Sequence, residues 1–368
     1  MLVTLADDAR FMQRALELAE RGAGQVAPNP LVGAVVVREG VVVGEGWHAR
    51  YGSDHAEVMA LHEAGAAAHG ATVYVTLEPC HHEGKTPPCT RALLAAGVAR
   101  VVYAVPDPNP TAAGGAAALR AQHVEVTGGV LERAARDQNA PFLHAMRDTA
   151  LPFLTLKLAL SIDGALVDAS RTRAWLTGSE SRRAVHTLRA GADAIAVGIG
   201  TALADDPALT VREGPAPRVT PRRVVFDRHA RLPLTSALVQ SARQVPVTVL
   251  CDNAVANHAR DARVRALTDH GVQIVTAGSL PESLACLRAE GVGHLMVEGG
   301  ATIASALMAA GLVHRLITFH APVILGAGAL PAFAALPAQT VDAAPRLRVI
   351  ARREHGPDLM TTYAVSGD

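Results

Sequence analysis

Within this 368-residue chain, HAE at 55–57 and TLEPCHHEGKTPPC at 76–89 concentrate side chains that bind metals or move protons. His55, Cys80 and Cys89 offer one nitrogen and two thiolate sulfurs, the donors zinc prefers. Three protein ligands leave the fourth tetrahedral position to water, as at a catalytic zinc. Zinc brings the pKa of a bound water near neutrality, and Glu57, close by but not a ligand, can take a proton and pass it to a leaving amine. Two other readings stand beside this one. Asp54 and Glu57 have the spacing of a capping box, so HAE taken alone reads as the start of a helix beside two ordinary thiols. A metal held by a fourth protein ligand, His81 or His82, would instead be structural.

The surrounding sequence supplies elements to position these residues. DHAEVMALHEAG is predicted as a helix with His55 and Glu57 in its first turn. TPPCTRALLAAG is predicted as another that Cys89 opens, proline being favoured where a helix starts. Cys80 follows the predicted strand ATVYVTL. Two helix N-termini would then converge beyond a strand end, and their positive ends offset the neutralising effect of two thiolates on the metal. Residues 7–21 have helical apolar spacing, and LVGAVVV with VVVGEGW reads as a hairpin. ARVVYAV and HVEVT are further strands, AAALRA a further helix, and a last helix runs from Leu131 towards Arg147.

Pro152, in RDTALPF, marks a joint. Beyond it LPFLTLKLAL, ADAIAVGIG, RRVVFD, VPVTVLC, VQIVTA, HLMVEGG and RLITFHAPVIL are predicted strands, with SRRAVHTLRA and TIASALMAAG as helices between them. The alternation implies two α/β domains with parallel or mixed sheets, 1–148 and 149–368.

Composition narrows the function classes. Lys+Arg and Asp+Glu both number 34 and aromatics make up 3%. Neither a nucleic-acid nor an anionic-membrane partner is expected, since both call for basic excess and single strands call for stacking platforms. Cys80, Cys89, Cys251 and Cys286 are too scattered for a disulfide framework. The first residues lack a signal-peptide pattern, and no apolar stretch is long enough to span a membrane. A cytoplasmic location is the expectation.

H-x-E followed by P-C-x-x-C is the signature of the zinc deaminases, but here the second cysteine lies nine positions after the first. That spacing separates the chain from the pyrimidine-nucleoside and RNA-editing deaminases. PNPLVGAVV (28–36), GEGWH (44–48), HAE, TLEPCHHEGKTPPC and PDPNP (106–110), in this order, resemble the pyrimidine deaminase of riboflavin biosynthesis. The resemblance implies a cytidine-deaminase-like three-layer α/β domain holding one zinc on His55, Cys80 and Cys89, with Glu57 catalytic. It further implies a substrate pocket lined by Asn29, His48, His82, Lys85, Asp107 and Asn109, with Lys85 available to a phosphate. Read singly, Asn29, Asp107 and Asn109 are also good turn residues and Lys85 a solvated loop lysine. NPTAAGGAAALRAQHVEV departs from the family's usual Val-Gly-Lys-Gly loop and later Ala-Gly pair.

LKLALSIDG (156–164), residues 174–212 and VEGGATIASALMAAGLVHRL (297–316) resemble the partner reductase, a domain related to dihydrofolate reductase. With no G-x-G-x-x-G opening a βαβ unit, a Rossmann dinucleotide domain is not expected. GIGT (198–201) and GGAT (299–302) are instead glycine-rich strand-to-helix turns suited to a pyrophosphate. By family position Ala159, Trp175, Thr201, Asp205, Gly300, Ala301, Thr302, Ile303 and Ala304 would contact NADPH. Arg189, Leu209, Arg212 and Glu298 would hold the ribosylamino substrate. At Arg173 the family often has a small hydroxyl residue. Arg222, Arg223 and Arg228 are candidates for the 2′-phosphate that separates NADPH from NADH.

Nearly the whole chain thus resembles the bifunctional deaminase–reductase family of riboflavin biosynthesis, which implies a phosphoribosylated pyrimidine as substrate and assembly as a homo-oligomer. A deaminase with a non-catalytic second domain and a structural-zinc interaction module remain the alternatives.

Overall fold

Apolar residues that alternate along each strand build this protein in layers, because successive side chains leave a strand on opposite faces. The computed structural model describes residues 5–84, 86–171, 174–214, 216–253, 262–338 and 340–365. The chain divides into two units, Met1–Arg147 and Asp148–Asp368.

In the first unit, strands β1 (Gly33–Arg38), β2 (Val41–Trp47), β3 (Thr72–Leu77), β4 (Arg100–Val105) and β5 (Glu125–Gly128) form one sheet in the order β2-β1-β3-β4-β5. The β1 pairings with β2 and β3 are antiparallel, and the remainder parallel. Val35, Val37, Tyr74 and Val102 bury one face against α1 (Leu5–Ala19), where Phe11, Met12, Ala15 and Leu18 answer them. Ala34, Val36, Val73 and Val101 bury the other face against α2 (Ala56–Ala64), α3 (Cys89–Ala95) and α4 (Gly115–Ala121). Helix α2 lies almost on the backbone of β2. A Cβ on Gly46 would stand 2.3 Å from the carbonyl oxygen of Ala56, so glycine is what lets the HAE helix approach.

One long helix was expected from Leu131 towards Arg147. Instead the segment forms α5 (Glu132–Gln138) and α6 (Ala140–Ala145), broken at Asn139. The amide of Asn139 spans both main-chain groups of Leu31, at 2.8 Å each, and so tethers the loop that carries Asn29. Pro141, in the first turn of α6, suits a fresh start.

In the second unit, nine strands among the described residues lie in one sheet: β6 (Phe153–Leu160), β8 (Ala194–Gly198), β9 (Arg222–Phe226), β10 (Val247–Asp252), β11 (Gln273–Ala277), β12 (His294–Glu298), β13 (Arg315–His320), β15 (Leu347–His355) and β16 (Asp358–Val365). Their order is β11-β10-β9-β8-β12-β6-β13-β16-β15, parallel through β13 and antiparallel beyond. Two short strands, β7 (Ala165–Val167) and β14 (Leu330–Pro331), pair separately.

The main helices are α7 (Ser179–Ala190), α8 (Ile199–Asp205), α9 (Ala237–Gln240), α10 (Ala262–Asp269), α11 (Leu280–Ala289) and α12 (Ala301–Ala309). Ala194 and Ala196 pack with Leu284, Leu287, Ile303 and Leu307 of α11 and α12. Ile195 and Val197, between them, pack with Ala202, Leu238 and Leu267 of α8, α9 and α10. The sheet is therefore covered on both faces, as a parallel sheet requires.

One further expectation is corrected, and one strand pair lies outside every expectation. RLITFHAPVIL does not continue as a strand to Leu325: β13 ends at His320, and the main-chain N–H groups of Leu325 and Gly326 turn to Asp163. The antiparallel pair β15–β16 was not anticipated, because LRVIARREH, an edge strand, has little apolar alternation.

Candidate active sites

His55 caps α2 from an extended conformation and Cys89 is the first residue of α3, while Cys80 follows β3 by three residues. Their donor atoms meet. Nδ1 of His55 lies 3.2 Å from Sγ of Cys89 and 3.6 Å from Sγ of Cys80. Bonds of the usual zinc lengths in a tetrahedron put neighbouring donors roughly 3.5–3.8 Å apart, so the cluster fits the ion. Among the described residues these three form the one group of His, Cys, Asp or Glu able to hold a metal. His81 turns its Nδ1 to Thr90 Oγ1 at 3.0 Å. The other ring nitrogen of His55 faces Thr86 Oγ1 at 3.4 Å, the outer contact that orients a metal-binding imidazole.

The capping-box reading does not hold. The cap of α2 is His55, with no side-chain cap bond, and the Asp54 carbonyl is used by His48. Glu57 is 3% exposed, and it lines the same cavity as His55 and Cys80. Burial pushes its carboxyl up, against the opposing pull of His55.

The cavity, about 260 Å³, brings together Asn29, His48, His82, Asp107 and Asn109. Lys85 lies outside the described residues. His48 Nδ1 faces only a carbonyl, that of Asp54 at 3.2 Å, so it carries the proton and Nε2 must accept. Asn29 therefore donates its amide N–H to Nε2, at 3.2 Å, and keeps Oδ1 for a ligand. Burial pulls the pKa of His48 down, which keeps the ring neutral. Asn109 is set the opposite way: its Oδ1 accepts from Thr111 N at 3.1 Å, leaving its NH₂ free to donate. Nδ1 of His82 is buried without a hydrogen-bond partner among the described residues, an atom a ligand can satisfy.

In the second unit, parallel β8 and β12 are neighbours, and their C-terminal turns lie side by side. Gly299 and Gly300 both have positive φ, at 64° and 87°, and a Cβ on Gly300 would stand 2.9 Å from Thr201 Oγ1. Helix α12 presents first-turn N–H groups at Ala301, Thr302 and Ile303. Ala301, Ile303 and Ala304 give their side chains to the interior, and the Ala304 N–H is bound to the Gly300 carbonyl at 3.0 Å. Ala159 lies near the C-terminal end of β6, and Asp205 ends α8. Trp175 is 67% exposed, with the Arg182 guanidinium 5.0 Å from its ring centroid.

Arg189 and Glu298 form a two-bond ion pair, Nε to Oε1 and Nη2 to Oε2, and Arg189 also donates to the Thr210 carbonyl at 2.9 Å. Leu209 has φ of 51° and a side chain buried in the core, so it has only main chain to offer a substrate. Arg212 is exposed, and its N–H donates to His186 Nδ1 at 3.2 Å. Arg173 lies outside the described residues.

Three residues were missed. Glu78 and Thr86 stand inside the motif already quoted, where the cysteines drew attention first. Lys157 lies directly across from Glu298 in the β6–β12 register, and burial lowers its pKa. A lysine inside the otherwise apolar LTLKLAL was the available signal. Arg223 is corrected as a phosphate candidate: it is fully buried, giving its guanidinium to Ser241, Ala208 and Val245.

Fold and sites together define a two-domain enzyme, a zinc-binding deaminase unit joined to a reductase unit. Residues 5–105 match the cytidine and deoxycytidylate deaminase zinc-binding region, and residues 152–361 match the RibD C-terminal domain. The riboflavin biosynthesis protein RibD of Aquifex aeolicus is 42% identical over 87% of this chain and 88% of its own length. That of Escherichia coli is 39% identical over 96% and 98%. The solved structure of a diaminohydroxyphosphoribosylaminopyrimidine deaminase/5-amino-6-(5-phosphoribosylamino)uracil reductase from Thermotoga maritima aligns with a TM-score of 0.79 at 31% identity, covering 98% and 99% of the two chains. The chain belongs to the RibD family of bifunctional riboflavin biosynthesis enzymes.

Proposed function

We propose that the unit up to residue 148 deaminates 2,5-diamino-6-ribosylamino-4(3H)-pyrimidinone 5′-phosphate by hydrolysis, and that residues 149–368 then reduce the ribosyl group of the product to ribityl with NADPH. The observation that carries the reading is the His55–Cys80–Cys89 cluster opening onto a cavity that also holds Glu57.

Zinc held by His55, Cys80 and Cys89 would supply an activated water to attack the ring carbon that bears the 2-amino group. Glu57 accepts the proton of that water and returns it to the departing ammonia; its raised pKa suits both directions of transfer. Asn29, with Oδ1 free, takes an amino hydrogen of the ring, and Asn109, with its NH₂ free, takes a ring nitrogen or carbonyl oxygen. His82 and Asp107 complete the polar wall, and Lys85 meets the phosphate.

In the second unit, NADPH would supply the hydride for C1′ of the ribosylamino group, and solvent the proton for the ring oxygen that C1′ releases. The turns at Gly198–Thr201 and Gly300–Ala304 take its pyrophosphate, with Ala159, Trp175 and Asp205 as further contacts. Arg189, Arg212, Glu298 and the main chain at Leu209 hold the substrate. Ligands of parallel sheets bind at the carboxyl ends of strands. Arg222, at the opposite end of β9, pairs with Glu290 at 3.0 Å. Arg228, two residues past the carboxyl end of β9, is the 2′-phosphate contact in this reading.

The same reading places a homo-oligomer in the cytoplasm without nucleic-acid or membrane partners. The zero net charge and four free cysteines support the location and the lack of a nucleic-acid partner, and the homo-oligomer rests on the family resemblance. No helix among the described residues is long and apolar enough to cross a membrane.

A coupled assay tests the reading. Zinc-loaded protein receives the phosphoribosylated diaminopyrimidine, first without NADPH and then with it. Ammonia release followed by NADPH oxidation is expected. Ammonia alone would make the second unit non-catalytic, and the absence of both signals would overturn the proposal.

A further inference from the structure

Segment 107–116 carries two of the cavity's polar residues in its first part, which fits the family pattern, and departs from that pattern from residue 111 on. Its shape is set from outside. Glu78, 8% exposed and lining the cavity, accepts the N–H of Asp107 at 3.2 Å on one carboxylate oxygen and that of Ala116 at 2.9 Å on the other. Its own N–H donates to the Val105 carbonyl at 2.8 Å. One side chain thus ties the exit of β4 to the entry of α4, with residues 108–115 looped between.

The loop closes on itself inside that clamp. Asp107 Oδ1 accepts from Asn109 N at 2.9 Å, Asn109 Oδ1 from Thr111 N at 3.1 Å, and the Asn109 carbonyl from the N–H groups of Ala112 and Ala113 at 2.9 Å each. The turn that aims the Asn109 amide at the cavity therefore hangs from Glu78. Gly115 seals the far end, since a Cβ there would stand 1.8 Å from the Pro79 carbonyl oxygen. Plain packing does not call for an acid here. Burying a second carboxyl near Asp107 is costly, and only a carboxylate accepts on both oxygens, whereas an amide would turn a donor toward one of the N–H groups.

We infer that Glu78 is the positioning residue for substrate recognition in the deaminase site, acting through Asp107 and Asn109 rather than by touching the zinc. The inference rests on the deaminase reading above.

Ammonia-release kinetics on the zinc-loaded full chain test it, with Glu78→Gln, Asn109→Ala and the double variant. Glu78→Gln is expected to raise KM about tenfold or more with kcat little changed, as displacement of a binding group does. Zinc content and NADPH oxidation with the deaminated intermediate should stay at wild-type levels. The double variant should have a KM no worse than the weaker-binding single variant, because both act through one amide. An unchanged KM in Glu78→Gln, or effects that multiply, would overturn the inference. Ala116→Pro removes one of the two donors from the other side, at a first-turn position that tolerates proline, and answers the question if the glutamine variant does not fold. It too must raise KM. No ammonia from the wild type would instead sink the deaminase reading, before any variant is compared.

Discussion

The main-chain N–H of Cys89 donates to the sulfur of Cys80 at 3.3 Å, so the amino end of the helix carrying one zinc ligand stabilises negative charge on the other. In the metal-free chain the two sulfurs differ sharply. Donation from the Cys89 thiol, and then from His55, holds Cys80 down to about 4, while the same bond to Cys80 and burial push Cys89 well above the ordinary thiol value. Of the two sulfurs, Cys80 is therefore the one favoured as a thiolate. Alkylation of zinc-free protein, followed peptide by peptide in a mass spectrometer, should label Cys80 before Cys89, at a rate nearly flat between about pH 6 and 8 because the thiolate is the nucleophile. Added zinc should protect both. A Cys80 rate that climbs tenfold per pH unit would contradict the assignment.

Glu57 lines the same cavity as His55 and Cys80 but is outside the cluster of donor atoms that His55, Cys80 and Cys89 form, so its role separates from metal binding. Glu57→Gln should keep one zinc per chain and lower ammonia release by about 10²–10⁴-fold, the usual share of a general acid–base group. NADPH oxidation with the deaminated intermediate should persist. Loss of both activities in a folded variant would show that the two units are not independent.

Arg228 projects past the end of β9, where its guanidinium meets Asp252 Oδ2 at 2.8 Å with the arginine side chain 78% exposed. Such a pair contributes little to stability, which leaves the arginine available to a phosphate. Arg228→Gln should raise the KM for NADPH about tenfold or more and leave that for NADH nearly unchanged, a phosphate-specific loss of one charged contact. Equal changes with both nucleotides would remove Arg228 from the specificity site.

Burial alone would raise the carboxyl of Glu298, but the Arg189 guanidinium, and then Lys157, hold it below the ordinary carboxylate range. Because the folded value lies below the unfolded one, the stability it contributes is complete above the ordinary value and is lost as pH falls through the folded value. Breaking the pair costs about 3 kcal/mol where the remaining charge is buried. The melting-temperature gap between wild type and Glu298→Gln should therefore hold steady from pH 7 to about 5 and narrow below the ordinary glutamate pKa of about 4.3. A gap that widens on acidification would mean the sign is wrong.

Much of the deaminase site was legible because its chemistry restricts residue type and spacing. Zinc admits few donors, and a helix start places His55 and Glu57 within one turn. The strands β3, β4, β8 and β12 were legible too, since each is a short apolar run closed by glycine, proline or a polar turn. The break at Asn139 was not, because its cause is a contact with Leu31, 108 residues away. The edge hairpin β15–β16 was not, because arginines fill an edge strand that has little interior to face.

What the sequence by itself determined is the inventory: which atoms can bind zinc, which glycines can bend around a phosphate, and which local periods make helix or strand. Only the tertiary structure decided how the polar atoms pair off. Glu78 meets the N–H groups of residues 29 and 38 positions away, and Arg189 meets Glu298 across 109. Local sequence carries no record of such pairings. They exist because buried polar groups must find partners once the apolar layers have closed, and which partners lie within reach depends on the order and register of the strands.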